Sequence, residues 1–216
     1  MRKLGAYAIL GSALLLLSFA GARSIEAGAV SQLRQVVNAQ VVKGKALVLR
    51  ETKDGEGRVV RRAWVIEQGS QDQLHGKCTE YFEDGRVKRE SWYCTGKQHG
   101  PLVEYDLYGG VVVRSEWVDD VLHGLKESIH SGGQMFFRQS FRAGLKDGPF
   151  EMWHENGQLR GRGAYSKDKQ TGRWETWFDT GAKQSEGEFN DGKKLKGWTE
   201  YSSEGKIVSV LAEDEK

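Results

Sequence analysis

The feature that most constrains this chain is a period. The stretch "VLHG" at 121–124 ends in a His-Gly pair that also closes "QLHG" at 73–76 and "KQHG" at 97–100, so His75, His99 and His123 stand 24 residues apart. Segments beginning at His75, His99, His123, Asp147 and Thr171 all carry glycine second: Gly76, Gly100, Gly124, Gly148 and Gly172. Counted from that glycine, offset five holds Tyr81, Tyr105, Ile129, Trp153 and Trp177, and offset nine holds Gly85, Gly109, Gly133, Gly157 and Gly181. Offset seventeen holds Tyr93, Trp117, Phe141, Tyr165 and Phe189. A partial sixth copy, "KGWTEYSSEGK", follows with one residue inserted between Lys193 and Gly197, and puts Trp198, Tyr201 and Gly205 in equivalent roles. Agreement at three kinds of position identifies a repeat architecture, in which each unit is too small to bury its own face and stacks on its neighbours.

The unit reads as a β-hairpin. The second glycine sits in "EDGR", "YGGV", "SGGQ", "ENGQ", "DTGA" and "SEGK", where Asp-Gly, Gly-Gly and Asn-Gly between apolar or aromatic runs are hairpin-turn signals. Composition agrees: 28 Gly, 2 Pro, 7 Trp, 7 Tyr and 8 Phe suit short strands and tight turns better than helices. The expected fold is therefore all-β, an elongated, twisted or curved sheet of antiparallel hairpins. Full copies run at 75–98, 99–122, 123–146, 147–170 and 171–194, with a partial sixth at 195–206, each ending in a polar return loop such as "SKDKQTG" at 166–172. Two registers are open. A two-residue turn sends offsets five and seventeen to opposite faces; a three-residue turn with a glycine bulge puts them on one face, together with Val87, Val111, Met135 and Leu159. We favour the second, which gathers the aromatics into one core.

Flanking segments differ. Residues 1–22 pair a basic start, "MRK", with an uncharged apolar run and small residues at Ala20 and Ala22, the pattern of a cleaved export signal or, if uncut, of an anchor. Residues 23–44 are a linker or short helix, with Val30, Leu33, Val36 and Val37 at helical spacing. Residues 45–69 read as a degenerate hairpin, out of phase, that caps the array, and 207–216 end in an acidic tail. Removing 1–22 takes away Arg2 and Lys3 and no acid, so 32 Lys+Arg become 30 against 30 Asp+Glu. A neutral chain with interspersed charge lacks the concentrated basic surface that nucleic acid requires.

The units "DGPFEMWHENGQLRGRGAYSKDKQTG" and "TGRWETWFDTGAKQSEGEFNDGKK" resemble the bacterial variant of the MORN repeat over about residues 75–205. The resemblance implies a curved hairpin array with a binding role. Some bacterial proteins with this repeat are labelled antitoxins, and eukaryotic relatives are connected with membranes and phosphoinositides. Neither role transfers residue by residue, because the shared positions are those that build the sheet. The third copy departs from the pattern with Ile129 and the bulky "MFFRQSF" at 135–141.

With strands about 4.8 Å apart, equivalent residues of successive two-stranded copies lie roughly 10 Å apart, too far for one zinc ion to collect His75, His99 and His123. Glu80, Glu104, Glu127, Glu151 and Glu175 recur once per copy, as solvated strand positions do, whereas a general acid needs a singular environment. No nucleophile elbow, phosphate loop or zinc-protease motif occurs, and neither a cofactor nor a metal is expected. The glycines of "GRG" at 161–163 relieve crowding beneath a neighbouring aromatic. Cys78 and Cys94 are either a disulfide within the first copy, reachable in the favoured register, or two buried thiols. Phe150, Trp174 and Trp198 at offset two, with Phe178 nearby, form either an exposed binding stripe on the face away from the core or part of a second buried face.

The expected function is a non-enzymatic, exported module, periplasmic or secreted, that binds a protein partner or scaffolds the envelope. An antitoxin or immunity protein is one alternative, and a binder of cell-wall glycan or a membrane surface is another.

Overall fold

The structure, a computed structural model, describes residues 41–42, 44–68 and 71–212. The export signal, residues 23–40 of the linker or helix and the end of the acidic tail lie outside the described residues. The described chain is all-β, one open antiparallel sheet whose strands follow one another in sequence order. A two-residue β1 (Val41–Val42) precedes β2 (Lys45–Lys53) and β3 (Val59–Ile66). Five equal hairpins follow: β4 (Gln73–Tyr81) with β5 (Val87–Cys94), β6 (Lys97–Tyr105) with β7 (Val111–Val118), β8 (Val121–Ile129) with β9 (Met135–Arg142), β10 (Leu145–Trp153) with β11 (Leu159–Ser166), and β12 (Lys169–Trp177) with β13 (Lys183–Asn190). The sheet closes with β15 (Thr199–Tyr201) and β16 (Ile207–Val210), while β14 (Lys193–Lys194) pairs with β13 beside that path.

Turn chemistry explains the regularity. In the first copy the Phe82 N–H donates to the Arg86 carbonyl at 2.8 Å and the Gly85 N–H to the Phe82 carbonyl at 2.9 Å, with Gly85 at φ +84°. This is the expected three-residue turn with glycine in the left-handed region. The hairpin β2–β3 uses the same turn, with Asp54 bonded to Arg58 and Gly57 to Asp54. The opposite ends are tighter than the polar return loop read from the sequence. Thr95–Gly96, Asp119–Asp120, Ala143–Gly144, Lys167–Asp168 and Asp191–Gly192 are all at positive φ in consecutive pairs, the mark of two-residue turns that match strand twist. Strand pairing also keeps the 24-residue spacing into the sixth copy, so Gly197 is shifted by one residue while Trp198 and Tyr201 stay in phase.

The register corrects the single-core expectation. Tyr81 pairs with Val87, but Glu80 pairs with Arg89, leaving Lys88 as an extra, bulged residue. Val112, Phe136, Arg160 and Gln184 repeat it. One extra residue moves the rest of a strand to the other face. Offsets five and eleven therefore do share a face, but offset seventeen points away from them, opposite Gly76 and its equivalents.

The better-buried face carries offsets two, fifteen and seventeen. Cys78, Ser91, Leu102, Ser115, Lys126, Gln139 and Phe150 lie side by side across seven strands, alternating first-strand and second-strand residues. Burial runs along this row through Ser91, Leu102, Ser115 and Gln139, but the apolar clusters lie towards its ends. Ala63, Val65 and Cys78 form one cluster; Trp174, Phe189 and Trp198 form another, with Phe150 and Tyr165 packed against it. In the second cluster Phe150 stacks on Trp174 with centroids 5.5 Å apart, and Tyr165 and Phe189 meet Trp174 edge-on at 5.2 and 5.8 Å. The Trp174 ring lies directly over Gly163, where a Cβ would fall 2.2 Å from its carbons. The crowding argument for "GRG" thus holds at Gly163; Gly161 has only ordinary contacts, the nearest at 3.7 Å.

Candidate functional site

The repeat glycines set the geometry from which the second face is built. Gly76, Gly100, Gly124 and Gly148 lie inside first strands at φ between +91° and +114°, not at the start of a turn. Ser91 pairs with Leu102 and Tyr93 with Gln98, so His99, Gly100 and Pro101 together oppose Trp92. The glycine's missing Cβ lets the chain pass close to the preceding strand: a Cβ would sit 3.2 Å from that of Trp92 at Gly100, 3.1 Å from that of Glu116 at Gly124 and 3.0 Å from that of Ser140 at Gly148. The histidines at these bulges serve the turns. His75 Nδ1 accepts the Thr95 N–H at 3.2 Å, His123 Nδ1 accepts the Ala143 N–H at 3.3 Å, and His99 Nδ1 lies 3.3 Å from an Asp119 oxygen. Among the described residues no group of three or more His, Cys, Asp or Glu is placed to hold a metal ion.

Offsets three and fourteen form a charged row across the second face. Cross-strand pairing joins Arg114, Glu127, Arg138, Glu151, Arg162 and Glu175 in that order. Arg138 donates to Glu127 at 3.0 Å and Arg162 to Glu175 at 2.7 Å. Opposite charges directly across strands stabilise the sheet, each exposed pair by about 0.2–1 kcal/mol. The two signs are not equally accessible. The Arg138 and Arg162 side chains are 45% and 55% exposed, against 13% and 9% for Glu127 and Glu175. The Glu127 and Glu175 carboxylates lie down on the sheet, whereas Glu151 is 39% exposed and 3.8 Å from Arg138; the Arg138 and Arg162 guanidiniums stand above and face solvent.

Glu175 is the strongest node. Burial alone would raise its carboxyl, but hydrogen bonds from Lys183 at 2.9 Å and Arg162 at 2.7 Å, together with their charges, outweigh burial and bring it down to about 2. Lys183 also bonds Glu186 at 2.8 Å, and the Tyr201 hydroxyl donates to Glu186 at 2.8 Å. Both hold the Glu186 carboxyl below its ordinary range. These contacts overturn the reading of all the repeated glutamates as solvated, because Glu175 is only 7% exposed.

Between the raised arginines runs a groove of about 620 Å³. Small residues at offsets one and sixteen, Ser140, Pro149 and Ala164, make room for it, and Arg138, Glu151, Arg162, Arg173 and Glu175 surround them. Offset five flanks the row on the same face: Tyr81, Tyr105, Trp153, Trp177 and Tyr201 are half-buried there. The Trp177 ring carries the Arg162 guanidinium at 5.4 Å and the Lys183 ammonium at 5.9 Å.

Other sequence-based candidates come out differently. Trp174 and Trp198 are each 5% exposed and Phe150 packs on their cluster, so they belong to the core rather than to an exposed stripe. Phe178 is half-buried at the hairpin turn, where its N–H donates to the Ala182 carbonyl. Cys78 and Cys94 are free thiols, one buried and one exposed. Cys78 pairs with Ser91, and Cys94, three residues beyond, points to the other face. The extra bulge that flipped the aromatic column also removed the geometry for a disulfide. The groove row was present in the sequence as two columns, but without the register those columns do not resolve into neighbours.

The sequence profile of the MORN repeat variant matches residues 74–93 and 146–167, which cover most of the β4–β5 and β10–β11 hairpins. MORN repeats are generally protein-binding or membrane-binding modules without catalysis. No curated protein matches the chain.

Proposed function

We propose that this chain is a non-enzymatic, exported binding module that takes an extended, carboxylate-bearing segment of a protein partner across its charged face. The observation carrying this reading is the groove at 138–175, where the Arg138 and Arg162 guanidiniums stand exposed, Arg162 seated on the buried carboxylate of Glu175, with Glu151 open between them. A planar guanidinium grips carboxylates in bidentate fashion, and the Glu beneath fixes its position before a ligand arrives. Export rests on residues 1–22 and on no feature of the sheet. The neutral net charge after those residues weighs against anionic membrane surfaces, which reward clustered basic charge.

The test is affinity capture from an envelope extract with the full chain as bait, beside the doubly substituted Arg138→Glu/Arg162→Glu chain. A partner should be retained by the first and lost from the second at unchanged circular dichroism, with capture weakening as salt rises. Equal capture by both chains sinks the reading.

A further inference from the structure

The last strand of the sheet is unlike every other. Ile207, Val208 and Val210 are 64%, 67% and 54% exposed, and the stretch from Ile207 to Leu211 contains neither charge nor proline. Exposed edge strands in soluble proteins are ordinarily blunted by such residues. Both rows that cross the sheet also turn aliphatic here. The charged row continues through Glu186 and Thr199 and ends on Val210. The core row ends on Leu211, whose N–H donates to the Trp198 carbonyl at 2.8 Å, keeping it in the ladder. Leu211 occupies offset fifteen, the position at which Ser91, Ser115 and Gln139 are 1%, 4% and 2% exposed because a strand covers them on each side; Leu211 is 44% exposed.

We propose that a second copy of this chain supplies the missing neighbour, its β16 pairing antiparallel with the first β16 about a twofold axis, so that two arrays join into one continuous sheet. The occupant follows from the chemistry of the two ends. The first edge strand, β2, carries Lys45, Arg50, Glu51 and Lys53 and already has β1 on its outer side at Lys45 and Ala46. Its aliphatic run, Ala46 to Leu49, lies between Lys45 and Arg50 with Leu47 buried, so β2 sets Leu49, 42% exposed, against the three more exposed aliphatics of β16. A second β16 matches all three: it is uncharged and self-complementary, and its outer row of backbone donors and acceptors has no partner strand among the described residues. Such a joint leaves the groove at 138–175 free in both copies and is independent of any partner it binds.

Sedimentation of the purified full chain over a range of concentrations tests this. The native sequence should sediment as two copies, dissociating on dilution, and Val208→Lys/Val210→Lys should sediment as one copy with an unchanged circular dichroism spectrum. Leu49→Lys, on β2, should remain two copies. A native chain that is monomeric throughout, a two-copy species that survives the double lysine change, dissociation caused by Leu49→Lys, or a series of larger assemblies would each overturn the twofold β16 joint.

Discussion

Substitution of Gly163 by alanine gives the sharpest test of how the C-terminal copies are packed. The added Cβ falls 2.2 Å from two ring atoms of Trp174 and 2.6 Å from its Nε1, so the indole must move. It has nowhere to go without cost. Phe150 lies stacked on the ring, Tyr165 and Phe189 abut it edge-on, and its N–H donates to the Ala164 carbonyl at 3.1 Å. Overpacking of a filled site costs about 1–3 kcal/mol. Losing the indole hydrogen bond adds roughly 1 kcal/mol, and loosening an aromatic pair adds about 0.5–1.5 kcal/mol. Against this, alanine restricts the unfolded chain, a gain of about 0.4–1 kcal/mol. The net is a loss of about 1.5–5 kcal/mol at Gly163. Gly161, two residues away in the same strand, is the internal control: its nearest contacts, 3.7 and 3.8 Å, are ordinary, so Gly161→Ala should be neutral or slightly stabilising. Urea titration followed by tryptophan fluorescence and by circular dichroism reads both, with the midpoint at constant slope taken as the measure. Equal midpoints for the two alanine variants would refute the packing argument. Partial recovery is expected when Gly163→Ala is combined with Trp174→Phe, since the smaller ring eases the crowding but forgoes the hydrogen bond to Ala164.

Three further outcomes follow from the same geometry. Glu175 has a folded pKa of about 2, below the 4.5 of a free glutamate, so its stabilisation is complete above pH 4.5 and is lost as pH falls towards 2. At about 1.36 kcal/mol per unit this is at most about 3 kcal/mol, and Glu175→Gln should flatten the acid limb of the stability profile in that window. Gly148→Ala places a Cβ 3.0 Å from that of Ser140 at φ +114°, so it should lower the urea midpoint by the equivalent of about 1–3 kcal/mol, whereas Gly157→Ala meets no atom within 4 Å and carries only the cost of its positive φ. Thiol titration of the full chain should label Cys94 at once and Cys78 only on unfolding; two unreactive thiols that appear together on reduction would mean a bridge.

The hairpins, their length and the glycine-bulged turn were legible because each is a local matter: Gly85 and its equivalents mark the left-handed position without reference to any other strand. The two-residue return turns were hidden because Lys167–Asp168 and Asp119–Asp120 adopt positive φ without glycine. The decisive miss was Lys88 and its equivalents. No residue type marks that bulge, since Lys, Val, Phe, Arg and Gln all occupy it, and one unmarked residue reverses the face of everything after it. Hence the aromatic column at offset seventeen and a bridged pair Cys78 and Cys94 were read onto faces that the register does not give them, whereas Trp174 and Trp198 took the buried of the two places left open for them. The ion-pair row failed for the same reason. Glu127 and Arg138 are eleven residues apart, a spacing that means contact in this register and nothing in the other.

That register also ties the proposed site to the core on the other side of the sheet. The groove is bounded by copies three to five, and Phe150 and Gly163, two of the residues that bound it, are those on which Trp174 packs. In a single sheet the backbone that carries Arg162 and Ala164 on one face carries Gly163 on the other. The aromatic cluster beneath therefore fixes the spacing of the guanidiniums above, which is what a rigid recognition surface requires. A ligand gripped at two or three arginines loses affinity if their separation drifts, so Gly163→Ala should weaken partner capture under conditions where the chain is still fully folded. On the proposed function, stability and recognition are coupled through one glycine whose backbone borders the groove and whose missing Cβ admits Trp174 on the other face. A Gly163→Ala chain that is less stable yet captures its partner at native strength would separate the two faces and confine the argument to folding.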